Sequence, residues 1–211
     1  DNAVYSFVDS KNNYWVSTNY GSLVYSTSLH KWFMSGREFL ASQGIAYPAD
    51  VAGHIIVRDV ACDSRGHVWV TTDHNGLYYI DYGKRLCRRF TYSPNDKGSI
   101  SDNSLLQVYV DDRDAVWVGT YKNGVCYYSA AATKFYTIPM GDVCTITQDL
   151  YGNLWCGTND NGIIAYNPST GQMQHYGQAQ TGLGSNVVVS SFTMKDGSMY
   201  FGTFNGGLTR Y

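Results

Sequence analysis

The side chains that could act as acid, base, nucleophile or metal ligand in this chain are few and scattered. The histidines are His30, His54, His67, His74 and His175, the cysteines are Cys62, Cys87, Cys126, Cys144 and Cys156, and Glu38 is the single glutamate. There is no Gly-x-Ser-x-Gly elbow, no His-Glu-x-x-His pair and no CxxC pair. The spacing therefore supports neither an activated nucleophile nor a zinc site. Asp111-Asp112-Arg113-Asp114 and Asn159-Asp160-Asn161-Gly162 are rich in oxygen, but lack the spaced donors and terminal glutamate of an EF-hand loop. No catalytic residue, cofactor or metal is expected. The cysteines read as packed thiols, with Cys144 and Cys156 serving as small hydrophobes inside apolar strands.

What does recur is a mixture of aromatic and carboxamide side chains around glycine turns: Asn19-Tyr20, Asp73-His74-Asn75, Tyr121-Lys122-Asn123, Asn159-Asp160-Asn161 and Phe204-Asn205. Such a set suits a sugar, whose apolar ring faces stack on aromatic rings while its hydroxyls exchange hydrogen bonds with Asn and Asp. Asn and Asp before Gly are also what tight turns require. Tyr20, His74, Tyr121 and Phe204 are less readily explained by turns. The candidate ligand-binding residues are Tyr20, His74, Asn75, Tyr121, Lys122, Asn159, Asp160, Phe204 and Asn205.

The elements that must carry these residues form a repeat. Five segments share one template, running over Asp9 to Tyr25, Asp63 to Tyr79, Asp111 to Tyr127, Asp149 to Tyr166 and Met194 to Tyr211. Their aromatic anchors, Trp15, Trp69, Trp117, Trp155 and Tyr200, are separated by 54, 48, 38 and 45 residues, a period suited to four-stranded propeller blades. An acidic residue six before the anchor and a glycine three before it, as at Asp63 and Gly66 or Asp149 and Gly152, make a tight turn. A short apolar strand packed on both faces follows, as at Val68-Trp69-Val70, and then a threonine and a second glycine turn. An inner strand lies upstream, as at Leu105 to Val110, and a more polar outer strand downstream, as at Lys134 to Ile138. The fold class expected is all-β: a β-propeller of five four-stranded blades, the last lacking its outer strand, and a fragment of a larger propeller region. Blade limits fall near 1–51, 52–98, 99–140, 141–182 and 183–211. An open arc of blades would leave apolar faces and strand edges unpaired, so closure or self-association is expected.

Composition narrows the partners. A formal charge of −2 and a pI near 6.2 supply no field that would draw nucleic acid or an anionic membrane surface. No run of about 18 apolar residues is present, so no spanning helix is expected within these residues. The chain opens at Asp1 without a start Met, as a processed protein or an excised piece would. Lys84, Arg85, Arg88 and Arg89 form the only basic run, read as a solvated outer edge that discourages sheet extension.

With these residues laid out, the chain resembles the two-component regulator propeller family, whose repeat reads roughly Asp-x-x-Gly-x-Leu-Trp-x-Gly-Thr-x-x-x-Gly-Leu. Asp149, Gly152, Leu154, Trp155, Gly157, Thr158 and Gly162 match it best, and Tyr92 to Asn103 is similar to the family's Ser-Leu-Ser-Asn connector, with Ile100 in place of Leu. Asn12, Ser22 and Asp114 stand where Gly is usual, Tyr200 replaces Trp, and the fifth acid shifts to Asp196. These departures imply local changes in blade geometry. The resemblance implies a non-catalytic periplasmic sensor region of an inner-membrane hybrid histidine kinase of the Bacteroides type, responding to oligosaccharide. The kinase itself would lie outside these residues. Two alternatives stand beside it: a streptogramin-lyase-like propeller enzyme, which would need a divalent metal and a His/Glu cluster, and a protein-interaction scaffold.

Overall fold

A computed structural model of the chain describes residues 3–49, 54–128 and 134–211. Five antiparallel sheets follow one another in chain order, each a meander whose neighbours in sequence are neighbours in space. The first contains β1 (Ala3–Val8), β2 (Tyr14–Thr18), β3 (Gly21–Ser26) and β4 (Lys31–Phe33). The second contains β5 (Val57–Cys62), β6 (Val68–Thr72), β7 (Leu77–Asp81) and β8 (Leu86–Phe90). The third has β9 (Leu105–Val110), β10 (Val116–Thr120), β11 (Val125–Tyr128) and β12 (Tyr136–Ile138). The fourth has β13 (Val143–Gln148), β14 (Leu154–Thr158), β15 (Ile163–Tyr166) and β16 (Met173–Tyr176). The fifth stops after β17 (Val188–Thr193), β18 (Met199–Thr203) and β19 (Gly207–Arg210). The molecule is a five-bladed β-propeller whose last blade has three strands, as the repeat predicts. The expected blade limit at 51/52 lies outside the described residues.

Burial follows strand order. The second strands β6, β10 and β14 are buried at every residue, whereas β12 and β16 are mostly exposed. A strand sandwiched between two neighbouring blades must be apolar on both faces, which accounts for runs such as Val116-Trp117-Val118. Each anchor tryptophan packs on the next blade: Trp69 on Leu105, Val108 and Val118; Trp117 on Ile146, Leu154 and Cys156; Trp155 on Val188, Met199 and Phe201. Trp15 does the same against Val57, Val68 and Val70, helped by Phe39. Phe39 belongs to α1 (Gly36–Ser42), a helix the strand pattern did not foresee, capped by Ser35 Oγ accepting the Glu38 N–H. A second short helix, α2 (Gln178–Thr181), precedes the fifth blade.

Among the described residues no such core joins the fifth blade to the first. On β18, Met199 and Phe201 turn inward to Trp155, which leaves Tyr200, paired with Phe192 and Arg210, on the opposite face. Phe192 is 61% exposed there and Leu208 70%. In the first blade the residue before the anchor, Tyr14, is 47% exposed, whereas its counterparts Val68, Val116 and Leu154 are fully buried. The blades thus form an arc with an apolar face open at each end.

Candidate functional site

Two local devices recur from blade to blade. In the first, the acidic residue six before the tryptophan accepts backbone N–H groups of the turn on one carboxylate oxygen and the indole N–H on the other. Asp111 Oδ1 takes the N–H of Arg113 and Ala115 while Oδ2 takes Trp117 Nε1 at 2.9 Å. Asp9 and Asp149 repeat this with Trp15 and Trp155, both at 3.0 Å. The left-handed turn residue is Gly66, Gly152 or Gly197, and Asn12 and Asp114 take the same conformation with φ of 59°. Those two departures from the repeat therefore leave the turn intact, since Asn and Asp tolerate this region better than other side chains.

The second device shapes the loops between second and third strands. Thr72, Thr120, Thr158 and Thr203 each donate through Oγ1 to the carbonyl of the glycine four residues on. In the second, third and fourth blades that glycine reaches over to the next blade, as where the Gly124 N–H donates to Gly141 O; a Cβ at its φ of +77° would also collide with the Ile138 carbonyl of its own outer strand. The same loops also bond the start of their own inner strand, through Asp73 N–H to Ile56 O, Tyr121 N–H to Ser104 O, Asn159 N–H to Asp142 O and Phe204 N–H to Val187 O. Both loop sets therefore share one rim of the propeller.

All nine sequence-predicted candidates lie on that rim. Tyr20 (72% exposed), His74, Tyr121, Lys122, Asn159, Asp160, Phe204 and Asn205 are exposed, and Asn75 is half-buried. His74, Lys122 and Asn205 are held in the left-handed region with φ of 66°, 75° and 57°. The Lys122 ammonium sits 4.7 Å from the centre of the Tyr121 ring. His74 Nδ1 lies 2.6 Å from Asp73 Oδ1. Among the described residues no hydrogen bond links candidates of different blades. What they share is a rim.

That rim surrounds a feature the sequence reading missed, a central funnel of about 320 Å³. Each inner strand carries a register shift near its start, between Val57 and Asp59, Val143 and Thr145, and Val188 and Ser190. The bulge re-aims single side chains. Arg58, Leu106, Cys144 and Val189 line the funnel together with Tyr5 and Gln107. Cys144 is thus a half-buried funnel residue rather than a core hydrophobe, unlike Cys156, which is fully buried. Arg58 Nη2 donates to Asp73 Oδ2 at 2.6 Å, so the funnel, Asp73 and His74 form one chain of polar contacts.

Asp59 follows the bulge and bridges blades, its Oδ2 accepting the Val108 N–H at 3.1 Å and Oδ1 its neighbour Val60 N–H at 2.8 Å. Gln107 Oε1 accepts the Ile146 N–H one blade on. Burial pushes the Asp59 carboxyl up to about 7 against the lowering effect of its two N–H donors. A titratable carboxyl stands where the next blade uses a neutral amide. The position needs an acceptor, not a charge.

The chemistry available at this rim is recognition. Aromatic rings, carboxamides, the Arg58 guanidinium and the carboxyls of Asp59, Asp73 and Asp160 surround an open funnel, and a polyhydroxylated ligand could stack and hydrogen-bond there. Among the described residues no three His, Cys, Asp or Glu side chains are grouped to hold a metal ion. Glu38 Oε2 accepts the Met34 N–H beside the helix α1, away from the funnel. His67 lies mostly buried with Nδ1 2.8 Å from Asp63 and Nε2 3.3 Å from Asp81.

No family model matches the chain, and no curated protein does. Solved structures match it from end to end. The extracellular domain assigned to a hybrid two-component system of B. thetaiotaomicron matches with a TM-score of 0.77 at 19% identity, over 98% of this chain and 28% of that one. The extracellular domain assigned to a one-component system of the same organism matches at 0.75 and 16% identity, over 100% and 27%. Virginiamycin B lyase from Staphylococcus aureus matches at 0.67 and 17% identity, over 98% and 68%. The chain spans little more than a quarter of the two sensor-system chains. Its fold is that of their propellers, in agreement with the resemblance carried by the Asp-Gly-Trp-Thr-Gly repeat.

Proposed function

We propose that this chain is a non-catalytic ligand-recognition propeller of the two-component regulator type. On this reading it is a periplasmic part of a membrane-anchored receptor that binds glycan-derived oligosaccharides and passes the signal to a histidine kinase. The observation that carries the reading is the end-to-end match to two extracellular sensor-system domains, together with five copies of the family-like repeat. The rim chemistry supports the ligand class. Tyr20, Tyr121 and Phe204 offer ring faces, and His74, Asn75, Lys122, Asn159, Asp160 and Asn205 offer polar groups around the funnel. Among the described residues no helix is long and apolar enough to cross a membrane, so an anchor would lie elsewhere in the receptor. The blades are taken as 1–51, 52–98, 99–140, 141–182 and 183–211. Their open end faces are taken to be covered by further blades or by self-association.

The test is a thermal-shift screen of the chain against an oligosaccharide panel, repeated with Tyr121→Ala and Phe204→Ala. Binding should raise the midpoint of the parent by mass action. The exposed substitutions should leave the unliganded midpoint within the usual surface range, about ±0.5 kcal/mol, and shrink the ligand-induced rise. A panel with no stabilising sugar, or a rise indifferent to both substitutions, would sink the rim reading. The match to the lyase favours a second reading, an enzyme on the same scaffold. Divalent-metal-dependent turnover of a streptogramin by this chain would establish it.

A further inference from the structure

The outer cleft of each blade, beside its anchor tryptophan, is a place where equivalent positions can be compared directly. In the fourth blade Trp155 pairs across the sheet with Ala165, and Ala165 with Gln174; in the second, Trp69 pairs with Tyr79, and Tyr79 with Arg88. The position of Arg88 is held by Phe33 in the first blade and Tyr136 in the third. Arg88 is the one cation in the series. The fourth-blade cleft is lined by Asn, Gln, Met and aromatic side chains with no charge. The second-blade cleft, a groove of about 290 Å³, adds Arg65 and Lys84 to Arg88, with Phe90 and Tyr128 as its apolar wall.

Two carboxylates also line this groove, Asp63 and Asp114, but their oxygens are already engaged. Asp63 accepts the backbone N–H of Arg65 and His67 and faces His67 Nδ1. Asp114 accepts the Ser64 N–H at 2.8 Å and the Ser64 hydroxyl at 2.5 Å. Lys84 reaches Asp81 at 3.3 Å and Arg65 reaches Asp63 at 3.7 Å. The Arg88 side chain makes no hydrogen bond or ion pair with any described residue.

A second observation falls in the same groove. The imidazole of His67 occupies the Asp63 oxygen that in the first, third and fourth blades receives the indole N–H. Trp69, 4% exposed and part of the groove wall, is left with a buried Nε1–H that has no acceptor. An unmet buried donor is destabilising and calls for a reason. An unpaired guanidinium fork beside aromatic faces fits a planar oxyanion on a ring.

We propose that the groove between the second and third blades binds a ring compound bearing a carboxylate, with Arg88 as its anchor and Phe90 and Tyr128 as the wall on which the ring rests. This site lies apart from the rim and does not depend on the rim's reading. The probes are glucuronate, a sugar carboxylate, and benzoate, an aromatic one, with glucose and acetate as controls lacking charge and ring respectively. Binding is followed by calorimetry and by the indole N–H resonances of the chain, with Trp69 assigned through Trp69→Phe or, if that variant does not fold, through the shift that His67→Asn produces.

One carboxylated ring should move the Trp69 resonance more than those of Trp15, Trp117 and Trp155, and which probe does so identifies the source. Arg88→Gln should weaken binding about tenfold or more, as loss of a charge-assisted bond does, and Arg88→Lys should recover only part of it. Arg113→Gln, a cation outside the groove, should change nothing. The proposal is overturned if neither probe moves Trp69, if acetate or glucose binds as well as the rings, or if Arg113→Gln weakens binding as much as Arg88→Gln.

Discussion

Trp117 donates its indole N–H to Asp111, six residues earlier, at 2.9 Å, and through that bond the turn entering β10 is tied to the side chain that packs on the next blade. One residue pair thus couples hairpin geometry to blade stacking. Asp111→Ala should lose the turn acceptor and orphan a buried indole N–H together, costing about 2–4 kcal/mol in urea unfolding. Asp149→Ala should behave alike. In the second blade the indole is already unbonded, so Trp69→Phe should cost less than Trp117→Phe. Equal losses at the two tryptophans would contradict this account.

Gly124→Ala and Gly171→Ala separate conformational strain from collision. Both glycines have positive φ, 77° and 73°, but an added Cβ at Gly124 meets the Ile138 carbonyl while nothing lies within 4 Å of one at Gly171. The second substitution should cost about 1–2 kcal/mol, the left-handed penalty alone. The first should cost about 3 kcal/mol or more because the close approach of this turn to the outer strand β12 must also open. Comparable midpoints for the two variants would disprove the close approach.

Asp59 gives a pH dependence of defined sign. Its carboxyl is raised from 3.8 to about 7 in the fold, so between those pH values the native state holds a proton that the unfolded chain has lost. Stability from this group is fully present below about 4, falls as pH rises through the window, and is flat above about 7, a total of roughly 4 kcal/mol at most. Asp59→Asn keeps the acceptor for Val108 and removes the titration. It should therefore be more stable than the parent at pH 8 and similar at pH 4. A parent whose denaturation midpoint holds level from pH 5 to 8 beside the variant would exclude the buried, protonated carboxyl.

Asp149 acts with the opposite sign. Burial raises the Asp149 carboxyl, but N–H donors from Trp155, Asn153 and Tyr151 outweigh it and hold the group below its ordinary value. Its contribution is present above about 4 and is lost only as pH falls through the lowered value. The stability advantage of the parent over Asp149→Asn should therefore be full near neutral pH and shrink as pH falls below about 4. A difference between the two that stays constant from pH 7 down through the acid transition would argue against the bonded turn.

The open end faces make association testable. Phe192→Asp and Leu208→Asp place charge on the face that no blade covers, and light scattering should show less self-association with little change in the core, whose side chains Met199 and Phe201 point the other way. If the parent is monomeric at all concentrations, the face is not a self-association surface.

The repeat itself was legible in one dimension. Trp15, Trp69, Trp117, Trp155 and Tyr200 recur with their turn residues at constant offsets because each blade solves the same local problem, a hairpin with one bulky side chain aimed at its neighbour. Strand order, the missing outer strand of the fifth blade and the shared rim of the loops all follow from it. What tertiary structure alone decided is which residues meet across blades. The bulge that turns Arg58 and Cys144 into the funnel is a backbone register shift with no residue signature, and α1 arose in a segment outside the repeat. His67 stands on the Asp63 oxygen in place of the Trp69 indole, with Asp81 of β7 facing its other nitrogen. Local turns are written in neighbouring residues, whereas the funnel and the blade-two groove depend on separations that no periodicity encodes.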